Sequence, residues 1–170
     1  MNPHEPESNM PLSNEDFEPS RFEPHGAVTV LSEGNIVRYD VTGPFNAEFM
    51  VLVVKLVDKL YSEVVNKGPF GEVTVFRNSM LMPPDAISRI IDVLQRWKIR
   101  GCAPLATAWV IEPNVDGALL MVPLFEKKFS AAGHPFLRCD NVEEAEIWLK
   151  KILLSMKPQN TNNAGPSQTI

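Results

Sequence analysis

The chain has 170 residues, 44% apolar and 22% charged, with 16 Lys and Arg against 21 Asp and Glu. That length supports one domain with its own core, and the balance argues against global disorder and against a membrane protein. The formal net charge of -5 belongs to the first 25 residues, where Glu5, Glu7, Glu15, Asp16, Glu18 and Glu23 face only Arg21.

The remainder is almost neutral, and only the short Arg96, Lys98, Arg100 cluster could contribute to a basic patch, so no nucleic-acid partner is expected. No window approaches the roughly 18 consecutive apolar residues that span a bilayer. An acidic, proline-rich start, where a signal peptide would be basic and then apolar, predicts a cytoplasmic protein. Cys102 and Cys139 are far apart and make no CxxC spacing, so both are expected as buried free thiols.

Residues 1–24 are rich in Pro, Glu, Ser and Asn and poor in aliphatic side chains, which predicts a disordered acidic arm. Residues 156–170, rich in Asn, Gln, Ser and Thr, are expected to form a disordered tail. Between them, residues 25–155 carry the pattern of a folded domain.

Ala27 to Ser32 is a β-favouring run, Glu33-Gly34 a turn, and in Ile36 to Thr42 the residues Val37, Tyr39 and Val41 alternate with polar ones, which predicts a hairpin. After Gly43-Pro44, Asn46 is placed to cap a helix whose Phe49, Leu52, Val53, Leu56, Leu60 and Val64 recur at helical spacing. Gly68-Pro69 stops it. Val73 to Phe76 is read as the third strand, and Asp85 to Lys98 as a helix with Ile87, Ile90, Ile91, Leu94 and Trp97 on its buried stripe. The basic cluster at its end complements the negative pole of the helix.

Leu105 to Ile111 is a near-continuous apolar run suited to a central strand covered on both faces. Ala118 to Ala132 reads as a helix that Pro123 starts or bends and Gly133 ends. Phe136 to Cys139 makes a last strand. Asn141 caps a final helix in which Ala145, Trp148, Leu149 and Ile152 face inward, and Glu144 is spaced to complete a capping box. The predicted fold is therefore α/β, in the order β-β-α-β-α-β-α-β-α, with a mixed, largely parallel sheet flanked by helices.

This order, with His25-Gly26 before the hairpin, Gly43-Pro44-Phe45-Asn46 at the first helix and Asp140-Asn141-Val142-Glu143-Glu144-Ala145-Glu146-Ile147-Trp148-Leu149 at the last, resembles the SpoIIAA-like branch of the STAS fold. The resemblance covers residues 25–155 and implies a regulatory, non-enzymatic module that docks on a protein partner. In the true antagonists it implies an Asp-Ser-Ser-Gly segment opening the second helix, with a phosphorylated serine. Here that region reads Met82-Pro83-Pro84-Asp85-Ala86, so no phospho-acceptor is matched, and the prolines remove N–H groups that would hold a phosphate. Ser79 and Ser88 are nearby hydroxyls outside the motif.

Catalytic chemistry finds little footing. His4, His25 and His134 have no metal-ligand or catalytic spacing and are expected to be solvated or capping. Glu143, Glu144 and Glu146 suit the first turn of a helix, and no phosphate-binding or nucleophile motif is present. No enzyme activity, metal or cofactor is expected. The residues singled out for binding are apolar: Met80, Leu81 and Met82 in a strand-to-helix connection, and Leu120, Met121 and Phe125 in the dense run beside Pro123. Both segments would border the carboxyl end of the sheet, where α/β folds commonly bind ligands. They would form either an adaptable binding surface or core beneath a long loop. The alternative to a partner-docking module is thus a domain for a hydrophobic, lipid-like ligand or a peripheral membrane surface; CRAL-TRIO lipid carriers have a similar fold.

Overall fold

Alternating inward side chains dictate how the first two long strands sit. In the computed structural model, which describes residues 12–13 and 23–156, β2 (Ala27–Glu33) and β3 (Ile36–Thr42) pair antiparallel, with Val30 opposite Tyr39 and Val28 opposite Val41. The connection is the two-residue turn Gly34-Asn35, one residue later than expected, and Gly34 takes the positive φ of +57° that its first position requires. Val28, Val30, Val37, Tyr39 and Val41 point to one face and are buried.

From β3 onward the sheet is parallel. β4 (Gly71–Arg77) pairs with β3, β5 (Thr107–Ile111) with β4, and β6 (Phe136–Cys139) with β5, so the strands lie side by side in chain order. All five residues of β5 are buried, as its unbroken apolar run requires. β4 is longer than the Val73 to Phe76 run read from the sequence and takes in Glu72 and Arg77.

A short strand β1 (Leu12–Ser13) pairs antiparallel with the outer edge of β2, Leu12 opposite Val30. The edge of β2 away from β3 carries backbone groups that β3 does not satisfy, and a two-residue strand pairs with some of them. Glu23 and His25 are held too, through Asn46. The rest of the acidic arm and residues 157–170 lie outside the described residues.

The helices divide between the two faces. α1 (Ala47–Val64), α2 (Pro84–Arg100) and α3 (Ala118–Ala131) join Val28, Tyr39, Phe76 and Trp109 in the larger core, while α4 (Val142–Ser155) covers the other face of β4 to β6 through Ala145 and Leu149. The helix starts follow from their caps. Asn46 Oδ1 accepts from the Phe49 N–H at 2.9 Å, and Asn141 Oδ1 from the Glu144 N–H at 2.9 Å. Glu144 reaches back to the N–H of Asp140 at 3.2 Å, one residue before the cap, so the box is closed in a shifted form.

Aromatic rings organise the larger core. Trp109 lies 4.7 Å from both Phe76 and Phe125, 5.2 Å from Phe136 and 5.9 Å from Phe129 between ring centroids. Each such side chain contributes on the order of 1.5–3 kcal/mol by leaving water, and edge-to-face pairs add about 0.5–1.5 kcal/mol. Pro123 lies within α3 without ending it; the ring is exposed, as is Leu119 four residues earlier, whose carbonyl loses its helical donor where water can replace it. Cys102 and Cys139 are both buried and free.

Candidate functional site

The backbone does bring the two apolar segments together. Beyond β4, Asn78 accepts from the Asp116 N–H at 2.8 Å and Met80 donates to the Asp116 carbonyl at 2.9 Å, which ties residues 78–80 to the loop before α3. Leu81 packs over Gly117 so closely that a Cβ there would stand 2.4 Å from Leu81 Cδ2. Gly117 is therefore required for contact as well as for its φ of +77°.

The six residues singled out do not share one surface. Met80, Met121 and Phe125 are buried at 0%, 2% and 0% exposure and belong to the core, whereas Leu120 is 67% exposed. Leu81 and Met82 are half-buried, and Met82 faces a separate cavity beneath α1 and α2. Leu119, 98% exposed, joins Leu120 in the first turn of α3. The helical period explains the division: Met121 and Phe125, four apart, share the inward face, and Leu119 and Leu120 fall outside it.

At the head of α2, Pro83 is the cap residue and Pro84 the first helical residue, with Asp85 exposed in the first turn. Neither proline has an N–H to offer an anion. Ser79 is buried and accepts from the Leu81 N–H at 3.2 Å, while Ser88 is exposed on α2. Two members of the basic cluster beyond, Lys98 and Arg100, are engaged structurally. Lys98 Nζ donates to the Ala132 and Gly133 carbonyls at 2.8 and 3.2 Å, and Arg100 pairs with Asp58 at 3.4 Å.

A polar chain runs through the interior at the amino ends of the parallel strands, and none of its members was singled out for binding from the sequence. Glu72 on β4 accepts from the Tyr61 hydroxyl and, at 2.7 Å, from the Thr107 hydroxyl. Thr107 Oγ1, its proton given to Glu72, accepts from Nε2–H of His134 at 2.8 Å, so the neutral imidazole carries its proton on Nε2. His134 is 4% exposed, which corrects the expectation of a solvated or capping histidine. Burial, reinforced by the charge of Lys98, pushes its pKa down to about 4. Burial raises the pKa of Glu72, against the opposing hydrogen bonds from Thr107 and Tyr61.

Tyr39 stands at the end of this chain. It is 5% exposed, and its hydroxyl finds no hydrogen-bond partner among the described residues. The Tyr61 hydroxyl, whose proton goes to Glu72, is near enough to act on Tyr39, but the two hydroxyls do not meet in bonding geometry. Tyr39, Tyr61, Glu72 and Thr74 form the polar end of a cavity of about 130 Å³. Its other walls are aliphatic and aromatic, among them Phe49, Val53, Val54, Ile90 and Trp109.

Among the described residues no group of three or more His, Cys, Asp or Glu side chains could hold a metal ion, and no helix is long and apolar enough to cross a membrane. The architecture defines the class, an α/β domain with a mixed, largely parallel sheet and helices on both faces. Compared with protein-family models, curated proteins and solved structures, the chain matches none.

Proposed function

We propose that this domain is a non-enzymatic regulatory or protein-interaction module of the STAS-related type that lacks the usual phospho-acceptor serine. The observation that carries the reading is the pair Leu119 and Leu120, 98% and 67% exposed at the start of α3, on a connection braced by the residues after β4. Two neighbouring large aliphatic side chains held in water on an ordered turn suit a partner with an apolar recess. The element order supports the STAS-related part, and Pro83-Pro84-Asp85 at the head of α2 supports a surface that works without phosphorylation.

The test compares immobilised wild-type protein with a Leu119→Ser/Leu120→Ser double variant in pull-downs from the native cell. A specific protein retained by the wild type and lost by an equally stable variant supports docking through this turn. Recovery of no specific protein, or equal recovery by both, counts against it.

A second reading, a domain that holds a hydrophobic small molecule, is favoured by the cavity beneath α1 and α2. Its place differs from the sheet-end mouth expected from the sequence, since Met80, Met121 and Phe125 fill core.

A further inference from the structure

The cavity beneath α1 and α2 combines three properties that core packing alone does not call for. It measures about 130 Å³, whereas close-packed interiors leave few voids larger than a water molecule. An apolar cavity of about 150 Å³ is large enough to stay dry and take up a benzene-sized guest. Its wall is overwhelmingly apolar, with Val41, Phe45, Phe49, Val57, Phe76 and Trp109 among its buried members.

The second property is an unsatisfied hydroxyl. Tyr39 is 95% removed from solvent and lines the cavity, yet its hydroxyl has no partner among the described residues. Leaving a buried polar group unpaired costs about 1–3 kcal/mol, so such groups in native proteins generally meet a partner, a water or a ligand.

The third is the state of the other polar groups. Both oxygens of Glu72 already accept hydrogen bonds, one from Thr107 and one from Tyr61. No cationic side chain among the described residues pairs with Glu72. The free hydrogen-bonding capacity of the cavity wall therefore lies with neutral hydroxyls, the buried phenol of Tyr39 and the partly exposed Thr74, and calls for an uncharged partner.

We propose that this cavity binds a small, uncharged, mainly apolar molecule about the size of one aromatic ring, whose single oxygen hydrogen bonds to Tyr39. The inference rests on the ligand-holding reading and is independent of docking through Leu119 and Leu120. It differs from that reading in fixing the place, the size and the polar group of the guest. A bound water on Tyr39 that an organic guest cannot displace is the competing occupant.

Benzyl alcohol and toluene serve as probes, titrated into the full chain and into Tyr39→Phe, with methyl resonances of Val53, Val54 and Leu119 followed by NMR. The variant removes only an unpaired buried hydroxyl, so it is expected to fold. Benzyl alcohol should shift Val53 and Val54 but not Leu119, and Tyr39→Phe should weaken its binding about fivefold while changing that of toluene less than twofold, as loss of one hydrogen bond implies. Toluene entry with benzyl alcohol indifferent to Tyr39→Phe would overturn the proposed contact and leave the ligand-holding reading standing. No response of Val53 or Val54 to either probe would remove both.

Discussion

The hydroxyl of Thr107 lies 2.8 Å from Nε2 of His134, inside the protein at the amino end of the sheet, where burial and then the charge of Lys98 keep the imidazole neutral. With the folded pKa near 4 and the ordinary value at 6.5, the unfolded chain takes up a proton in that interval that the folded protein refuses. Stability contributed by this residue is therefore present above about pH 6.5 and is lost as the pH falls toward 4, by about 3 kcal/mol in all. Urea denaturation at pH 7.5 and pH 4.5 should show this loss in the wild type and a smaller one in His134→Gln; equal losses would refute the assignment.

Glu72 works in the opposite direction. Its folded pKa is raised above 4.5, mainly by burial, so the folded carboxyl holds its proton more tightly than the unfolded chain does. Its contribution is full below that ordinary value and declines as the pH rises through the raised one. Glu72→Gln, which keeps the shape and cannot ionise, should gain stability relative to wild type as the pH rises from 4.5 to 8. A constant difference across that range would show that the acid is not titrating inside the fold.

Substitutions should separate core from surface in the apolar segments. Met80→Ala should cost roughly 2–5 kcal/mol and Phe125→Ala roughly 3–5 kcal/mol, because each empties a fully buried site. Leu119→Ser, by contrast, should stay within about 0.5 kcal/mol. Thermal melting of the three variants decides the matter, and a large loss from Leu119→Ser would contradict the exposure assigned to it.

Asn46 does more than cap a helix. Its Oδ1 accepts from the N–H groups of both Phe49 and His25 at 2.9 Å, and its Nδ2 donates to the Glu23 carbonyl at 3.1 Å. Asn141 caps only its own helix, by one bond to Glu144. Asn141→Ala should cost about 1 kcal/mol and Asn46→Ala about 2 kcal/mol. Equal losses in chemical denaturation would mean that the tie to residues 23–25 adds nothing.

Two glycines make the final contrast. A Cβ on Gly43 would stand 2.2 Å from the Ser79 carbonyl oxygen, a backbone atom that cannot step aside, whereas one on Gly34 would meet open space at a φ of +57°. Gly43→Ala should cost about 3 kcal/mol or more, and Gly34→Ala only about 1–2 kcal/mol. The reverse order in denaturation midpoints would argue against the close approach of residues 43 and 79.

Local pattern carried most of the architecture. The alternation of Val37, Tyr39 and Val41, the caps Asn46 and Asn141, and the apolar run ending at Ile111 each depend on neighbours in sequence, so strands and helices were legible with modest errors at their ends. Strand β4 shows where that legibility stopped. Glu72, Thr74 and Phe76 occupy alternate positions and so share one face, a signal that could have turned Glu72 inward; the charge of an isolated Glu argues for solvent, and only partners distant in the chain reverse that preference.

The sequence by itself determined the order of the elements from β2 to α4, the α/β class of the fold and the two missing N–H groups at Pro83-Pro84, because periodicity, capping and the absence of a proline N–H are properties of short stretches. Tertiary structure alone decided that Met80 is core while Leu119 is surface, that His134 is neutral beside Thr107, and that Tyr39 faces a cavity. Those outcomes depend on which residues, up to dozens of positions apart, the folded chain places within a few ångströms, and burial and pairing have no local signature.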